Sequence, residues 1–399
     1  MARDPRTSTG RRKFIGAGAL AGLAMFSPRL PRANDQMSLH PTTGQSRKAW
    51  AAATLRGGES FVMPSMQPDM KTLDEEGIRR DVRHAAAQGF CSILPLPALG
   101  IDADTDLRFM EIVADEAKDR ILTVGVIRPG AWKDQAAKVR LMEKQGISHA
   151  LMYFDPALAS QDAMYSQMRT VIENTSLGII LYASPKPAVA RFDPTGLPMD
   201  AFDRLADIDT VVGIKFTQEL RPATALAVAE RLADRLLLGV VDLEMMLLLA
   251  QRYRMQWTGQ WAIDSLQSPE KPWVGEFLAK LRTGDNEAAT RLYWRYEPIA
   301  SGFYALQAPS LRIGGHPWMH IKYMKWLTGG NGGLLADMRA TPEAMPHLDA
   351  PGRARCRELF AKVGIRTVDL PDESFIVGNA AYERGVRAAD LAARPQYVD

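Results

Sequence analysis

The stretch "DTVVGIKFTQ", Asp209–Gln218, holds a run from Val211 to Phe216 that is apolar or glycine except for Lys215. A short continuous apolar run bounded by polar residues reads as a strand buried on both faces, as in a parallel sheet. An amine at the end of such a strand is expensive to bury, so its presence asks for a reason. The rest of the chain repeats the pattern. Upstream lie "SFVMPSM" (60–66), "FCSILPL" (90–96), "ILTVGVI" (121–127), "HALMYF" (149–154) and "GIILYAS" (178–184); downstream lie "LLLGVV" (236–241) and "WTGQWA" (257–262).

Between these runs stand amphipathic stretches such as "LDEEGIRRDVRHAAAQ" and "AWKDQAAKVRLMEKQG". Their apolar positions recur three and four apart, and glycines follow at Gly89 and Gly146, where C-terminal caps fall. In the first, acids lead and basic residues trail, as the helix dipole favours. Strand and helix in alternation mean a parallel sheet covered by helices, and eight such units predict an α/β fold, a (β/α)8 TIM barrel. An open doubly wound sheet is the alternative. After Pro272 only helical patterns remain. The expected organisation is a leader over 1–33, a linker over 34–57, the barrel over 58–275, a C-terminal helical extension over 276–365, and a tail over 366–399 with no readable pattern.

Composition narrows the function. The chain has 399 residues, 46% hydrophobic, with a net charge of +3 and no long basic block, which does not suit a nucleic-acid binder. Two cysteines, Cys91 and Cys356, cannot make a disulfide framework. His316 and His320 stand four apart, but Pro317 intervenes and no third ligand is evident, so no metal is expected. "TGGNGG" (328–333) lacks the Lys-Ser end of a phosphate loop and reads as a turn. No cofactor is expected. At the N-terminus, "GRRKFIGAGALAGLAMF" sets paired Arg11 and Arg12 before an apolar stretch too short to span a bilayer. It resembles a twin-arginine export signal, with Gly10 standing where that pattern prefers Ser or Thr. The implied partner is the twin-arginine export machinery and the implied location is the periplasm.

On a sixth barrel strand, Lys215 falls at the C-terminal end, the face where barrel enzymes do chemistry. An amine desolvated by apolar neighbours holds its proton less tightly, and a neutral amine attacks a ketone to form a Schiff base. The bland alternative is a lysine whose stem packs and whose head reaches water. The preceding strand ends "IILYASP", placing Tyr182 at the same level, where a phenol can relay protons.

These residues resemble the dihydrodipicolinate synthase / N-acetylneuraminate lyase family. Leu181-Tyr182-Ala183-Ser184-Pro185 is similar to its L-Y-N-x-P motif, and Val211-Val212-Gly213-Ile214-Lys215 to its V-x-G-I-K motif. The resemblance runs from about Phe61 to Ile365. It implies Lys215 as the Schiff-base residue and Tyr182 as the proton relay. It implies Tyr153 (or Phe154), Ser184, Thr217 and Gly239 as residues facing a small-molecule oxo acid or ketone, and a homo-oligomer, dimer or tetramer. Trp257 and Trp261 stand where the family has smaller residues, so Trp261 is expected to line a more apolar and aromatic substrate pocket. The family's G-T-T-G-E loop, which grips the substrate carboxylate, is replaced near Ile93–Ala98 by "ILPLPA", whose prolines lack N–H groups. Lys186 and Arg191 are the remaining carboxylate-binding candidates. The expectation is an exported lyase catalysing aldol cleavage, condensation or dehydration. The alternative from another class is a non-catalytic binding or scaffold protein on the same barrel.

Overall fold

A computed structural model describes residues 41–42, 44–96, 101–217, 221–259, 263–311, 315–336, 345–395 and 397–398. The leader expected over 1–33 lies outside the described residues. Eight parallel strands close into a barrel: β1 (Gly57–Val62), β2 (Ser92–Pro95), β3 (Leu122–Ile127), β4 (His149–Met152), β5 (Gly178–Ala183), β6 (Val211–Phe216), β7 (Leu237–Val240) and β8 (Trp257–Thr258). Each strand pairs with the next, and β8 pairs back with β1 through Gly57 and Gly58. The open doubly wound sheet is thereby excluded.

Among the described residues, one helix precedes the barrel and seven link its strands: α1 (Arg47–Thr54), α2 (Glu75–Ala87), α3 (Ala103–Ala117), α4 (Trp132–Lys144), α5 (Gln161–Ile172), α6 (Met199–Leu205), α7 (Pro222–Leu232) and α8 (Leu243–Leu249). Six follow the barrel: α9 (Trp273–Arg282), α10 (Asn286–Leu311), α11 (Trp318–Leu327), α12 (Ala350–Lys362), α13 (Asp372–Val377) and α14 (Asn379–Glu383).

Two expectations need correction. Residues 47–54 are not a linker. They form α1, which buries Trp50, Ala51 and the following Leu55 against Leu122, Leu151, Ile180, Val212 and Trp257 of five different strands. This small apolar cluster is separate from the larger core between barrel and helices and forms the barrel's floor. The helix is pinned where Ser46 Oγ and the Arg47 amide donate to Asp209, at the foot of β6. The unreadable tail is also ordered: Phe375 of α13 is fully buried and meets Tyr323 edge-on at 4.9 Å.

Helix α11 ties the C-terminal region to the barrel with charge. Lys325 Nζ sits 2.8 Å from the Asp264 carboxylate and also donates to the Phe61 carbonyl, while Lys322 donates to the Pro64 carbonyl. Asp264 accepts from Ser60 Oγ at 2.6 Å as well. Burial pushes the Lys322 ammonium down to about 8 despite the nearby charge of Asp81.

His84 on α2 faces the same region, with Nε2 3.2 Å from Thr328 Oγ1. That hydroxyl already donates to the Lys325 carbonyl, so Nε2 carries the proton of a neutral ring. Burial, then the charges of Lys325 and Arg80, push His84 down to about 3. Because its folded value lies below its unfolded one, the unfolded chain binds the extra proton as pH falls below about 6.5. Stability from this group is therefore lost on acidification. Between pH 7 and 4.5 the wild type should lose about 2 kcal/mol more than His84→Gln, read from denaturant midpoints of the two proteins.

Candidate active site

Lys215 lies near the C-terminal end of β6, opposite Tyr182 on β5 and Gly239 on β7. Neighbouring strands are about 4.8 Å apart, so phenol and amine leave the sheet side by side. Lys215 is only 6% exposed. Its amine does not face an apolar wall. Nζ stands 3.6 Å from Oε1 of Glu59, which reaches inward from β1 and is itself buried. Glu59 Oε2 accepts from Ser92 Oγ at 3.4 Å and lies 3.8 Å from His149 Nε2. Burial works to raise the Glu59 carboxyl, but the charge of Lys215 and then His149 outweigh it and hold the group below the usual carboxylate range.

Tyr182 packs against Tyr153, at the end of β4, with ring centroids 4.4 Å apart. Burial raises the Tyr153 phenol, against opposing effects of Arg128 and Tyr182. The Arg128 guanidinium lies 5.9 Å from the Tyr153 ring. Two phenols in contact beside an amine can pass a proton between solvent and a carbonyl oxygen held above Lys215.

The other residues named from sequence fall in distinct places. Thr217 is buried at the exit of β6, where its hydroxyl donates to the Ala183 carbonyl at 3.2 Å and clamps β5 to β6. Ser184 is buried just after β5, and its Oγ accepts from Lys186 Nζ at 3.0 Å. Arg191 donates to the Leu158 carbonyl at 3.0 Å and lies over the Phe192 ring. Gly239 lies under an indole: a Cβ there would come 1.7 Å from the Trp257 ring. Trp257, part of the floor cluster, thus fills the space over Gly239, and only glycine leaves it room. Trp261, Pro97 and Ala98 lie outside the described residues. Among the described residues, no group of three or more His, Cys, Asp or Glu could hold a metal ion.

Sequence reasoning missed Glu59 and His149. Both were visible as polar residues opening apolar strands, "ESFV" and "HALM". A carboxylate in a strand buried on both faces carries a large desolvation cost unless a partner waits inside, and that cost was the available signal.

Residues 57–247 match the Dihydrodipicolinate synthetase family. The chain is similar to a 4-hydroxy-tetrahydrodipicolinate synthase of Alkalilimnicola ehrlichii, 24% identical over 262 residues that make up 63% of this chain and 84% of the relative. Among solved structures it resembles N-acetylneuraminate lyase from Fusobacterium nucleatum, with a TM-score of 0.60 at 14% identity, covering 78% of this chain and 99% of that one. It is also similar to dihydrodipicolinate synthase from Aquifex aeolicus, with a TM-score of 0.60 at 14% identity, covering 79% of this chain and 100% of that one.

Proposed function

We propose that this chain is a lyase of the dihydrodipicolinate synthase type, in which Lys215 forms a Schiff base with a 2-oxo acid or related ketone. The observation that carries the reading is the buried Lys215 amine in register with Tyr182 at the C-terminal end of β6. Lys215 Nζ attacks the carbonyl carbon. Tyr182, with Tyr153 behind it, carries a proton to the carbonyl oxygen as the carbinolamine forms, and that hydroxyl then leaves as water. The resulting iminium draws electrons from the adjacent bonds, so a carbon–carbon bond is broken or made, or a hydroxyl is lost. Substrate-facing roles for Ser184, Gly239 and Trp261 belong to the same reading. Thr217 contributes by holding β5 against β6.

A scaffold role is disfavoured by the cost of the site. A lysine and a glutamate buried together contribute little net stability, and replacement by apolar residues is commonly neutral or better. We also propose export through the twin-arginine signal, action in the periplasm and assembly into a dimer or tetramer. Arg11→Lys with Arg12→Lys should retain the protein in the cytoplasm on fractionation, and light scattering reports the assembly.

The test of the chemistry is intact-mass measurement after borohydride reduction with a panel of oxo acids and ketones, followed by peptide mapping. An adduct on Lys215 is expected, and an unmodified protein across the panel refutes the reading. Tyr182→Phe should still form the adduct but turn over substrate more slowly by about 10²–10⁴-fold, the scale of a lost proton relay.

A further inference from the structure

Glu59 is the one carboxylate seen inside the barrel against the lysine among the described residues, and nothing in the reading above gives it work. Its geometry supplies some. The Ser148 hydroxyl donates to the Thr123 carbonyl at 2.9 Å, so its single proton is spent. The 2.8 Å contact between Ser148 Oγ and His149 Nδ1 must then be donated by Nδ1. Nε2 has no hydrogen-bond partner among the described residues and faces Glu59 Oε2 at 3.8 Å. A neutral ring turns a lone pair toward the ionised carboxylate, and a proton on Nε2 or Oε2 makes the contact attractive. Lys215, Glu59 and His149 therefore form one line of groups between which a proton can be exchanged: Nζ to Oε1 at 3.6 Å, Oε2 to Nε2 at 3.8 Å.

We propose that Glu59, oriented by His149, is the proton acceptor that frees the Lys215 amine and the counter-ion that holds the iminium. This rests on the Schiff-base reading and deepens it. The ammonium passes one proton from Nζ to Glu59. The neutral amine then adds to the carbonyl carbon, forming the N–C bond as the C=O π pair moves to oxygen. A proton moves from the nitrogen to that oxygen through Tyr182. The Glu59 proton goes to the departing hydroxyl, the C–O bond breaks and water leaves. The products are a protonated imine and an ionised Glu59 facing it. Ammonium and ketone have become iminium and water, with no net proton gained or lost.

The surroundings suit a proton that is held locally. The titratable groups around Glu59 are Lys215 from β6, His149 from β4 and Cys91 beside β2, whose thiol is pushed up to about 12 by burial and so stays neutral. Gly259 closes one side, since a Cβ there would come 3.0 Å from Glu59 Oε1 and 3.1 Å from the Lys215 stem. Water has little access to a carboxylate 4% exposed, so the proton cannot simply be lost to solvent.

The test measures the rate of borohydride-trapped adduct by intact mass between pH 6 and 9, with pyruvate, phenylpyruvate and acetone as probes. The full chain is compared as wild type, Glu59→Gln, Glu59→Asp and His149→Asn. Glu59→Gln should trap about a hundredfold more slowly. Glu59→Asp, which keeps the carboxylate, should recover much of that loss, which a fault in folding would not do. His149→Asn keeps a donor toward Ser148 and removes Nε2; it should alter the shape of the pH profile while the melting temperature changes little. A mere ion pair predicts the opposite result for Glu59→Gln, because an amine released from its carboxylate is deprotonated more readily and traps as fast or faster. That outcome, with adduct present in the wild type, overturns this inference alone. No adduct in the wild type with any probe overturns the Schiff-base reading and this inference together.

Discussion

Lys215→Ala is expected to abolish the borohydride adduct and lower turnover by roughly 10⁴–10⁶-fold, the scale on which removal of a covalent nucleophile acts. Partial activity is not expected from the Tyr182–Tyr153 pair alone, because phenols that move protons have nothing to act on without the imine. The same substitution tests the electrostatics of the site. In the wild type the Glu59 carboxyl is held low by Lys215 and His149 against its burial. With a depressed folded value, its stabilising contribution is present above the unfolded pKa of about 4.3 and is lost as pH falls through the folded value. Without Lys215 the leading opposing charge is gone and burial dominates, so the carboxyl shifts upward. The folded state of the variant then binds the proton more tightly than the unfolded chain does. Lys215→Ala should therefore gain stability relative to wild type as pH is lowered from 8 toward 5, in urea titrations at each pH. Unaltered turnover, or a stability difference independent of pH, would contradict the placement of the pair.

The second large effect lies outside the barrel. Lys325→Met should cost about 3–5 kcal/mol, because it leaves Asp264 buried without its cation. Asp264 is fully buried, its Oδ2 holds Lys325 and Ser60 together, and its Oδ1 has no hydrogen-bond partner among the described residues. Lys325→Met with Asp264→Leu should regain most of the loss, since two apolar side chains of similar size remove both the charge and its need for a partner. A double variant no more stable than the single one would show that α11 is held by packing rather than by this ion pair.

How far the sequence led depended on the physical signal available. Strand β6 was read with its observed limits, Val211 to Phe216, because a polar turn precedes it and "FTQ" ends it. The pairing of Tyr182 with Lys215 was likewise legible, since parallel strands of equal length bring their ends level. Strand β1 was read from Ser60 instead of Gly57, because Glu59 breaks an apolar run. That three-residue error removed from view the carboxylate that faces the lysine. An ion pair formed across a barrel joins residues 156 positions apart, and no local periodicity records it. Helices α13 and α14, of six and five residues, are too short to show a helical period, so the tail gave no pattern before its contacts were known.

The floor of the barrel carries one consequence for the order in which the chain assembles. Trp50 is made near the beginning, yet the surfaces that receive it come from strands ending with Trp257, and Ser46 is pinned to Asp209, a separation of 163 residues. Contacts so distant along the chain close late, since the loop between them must be ordered first. The first of the described helices to be synthesised thus waits for the last strand, and its docking marks the moment at which the cylinder is complete.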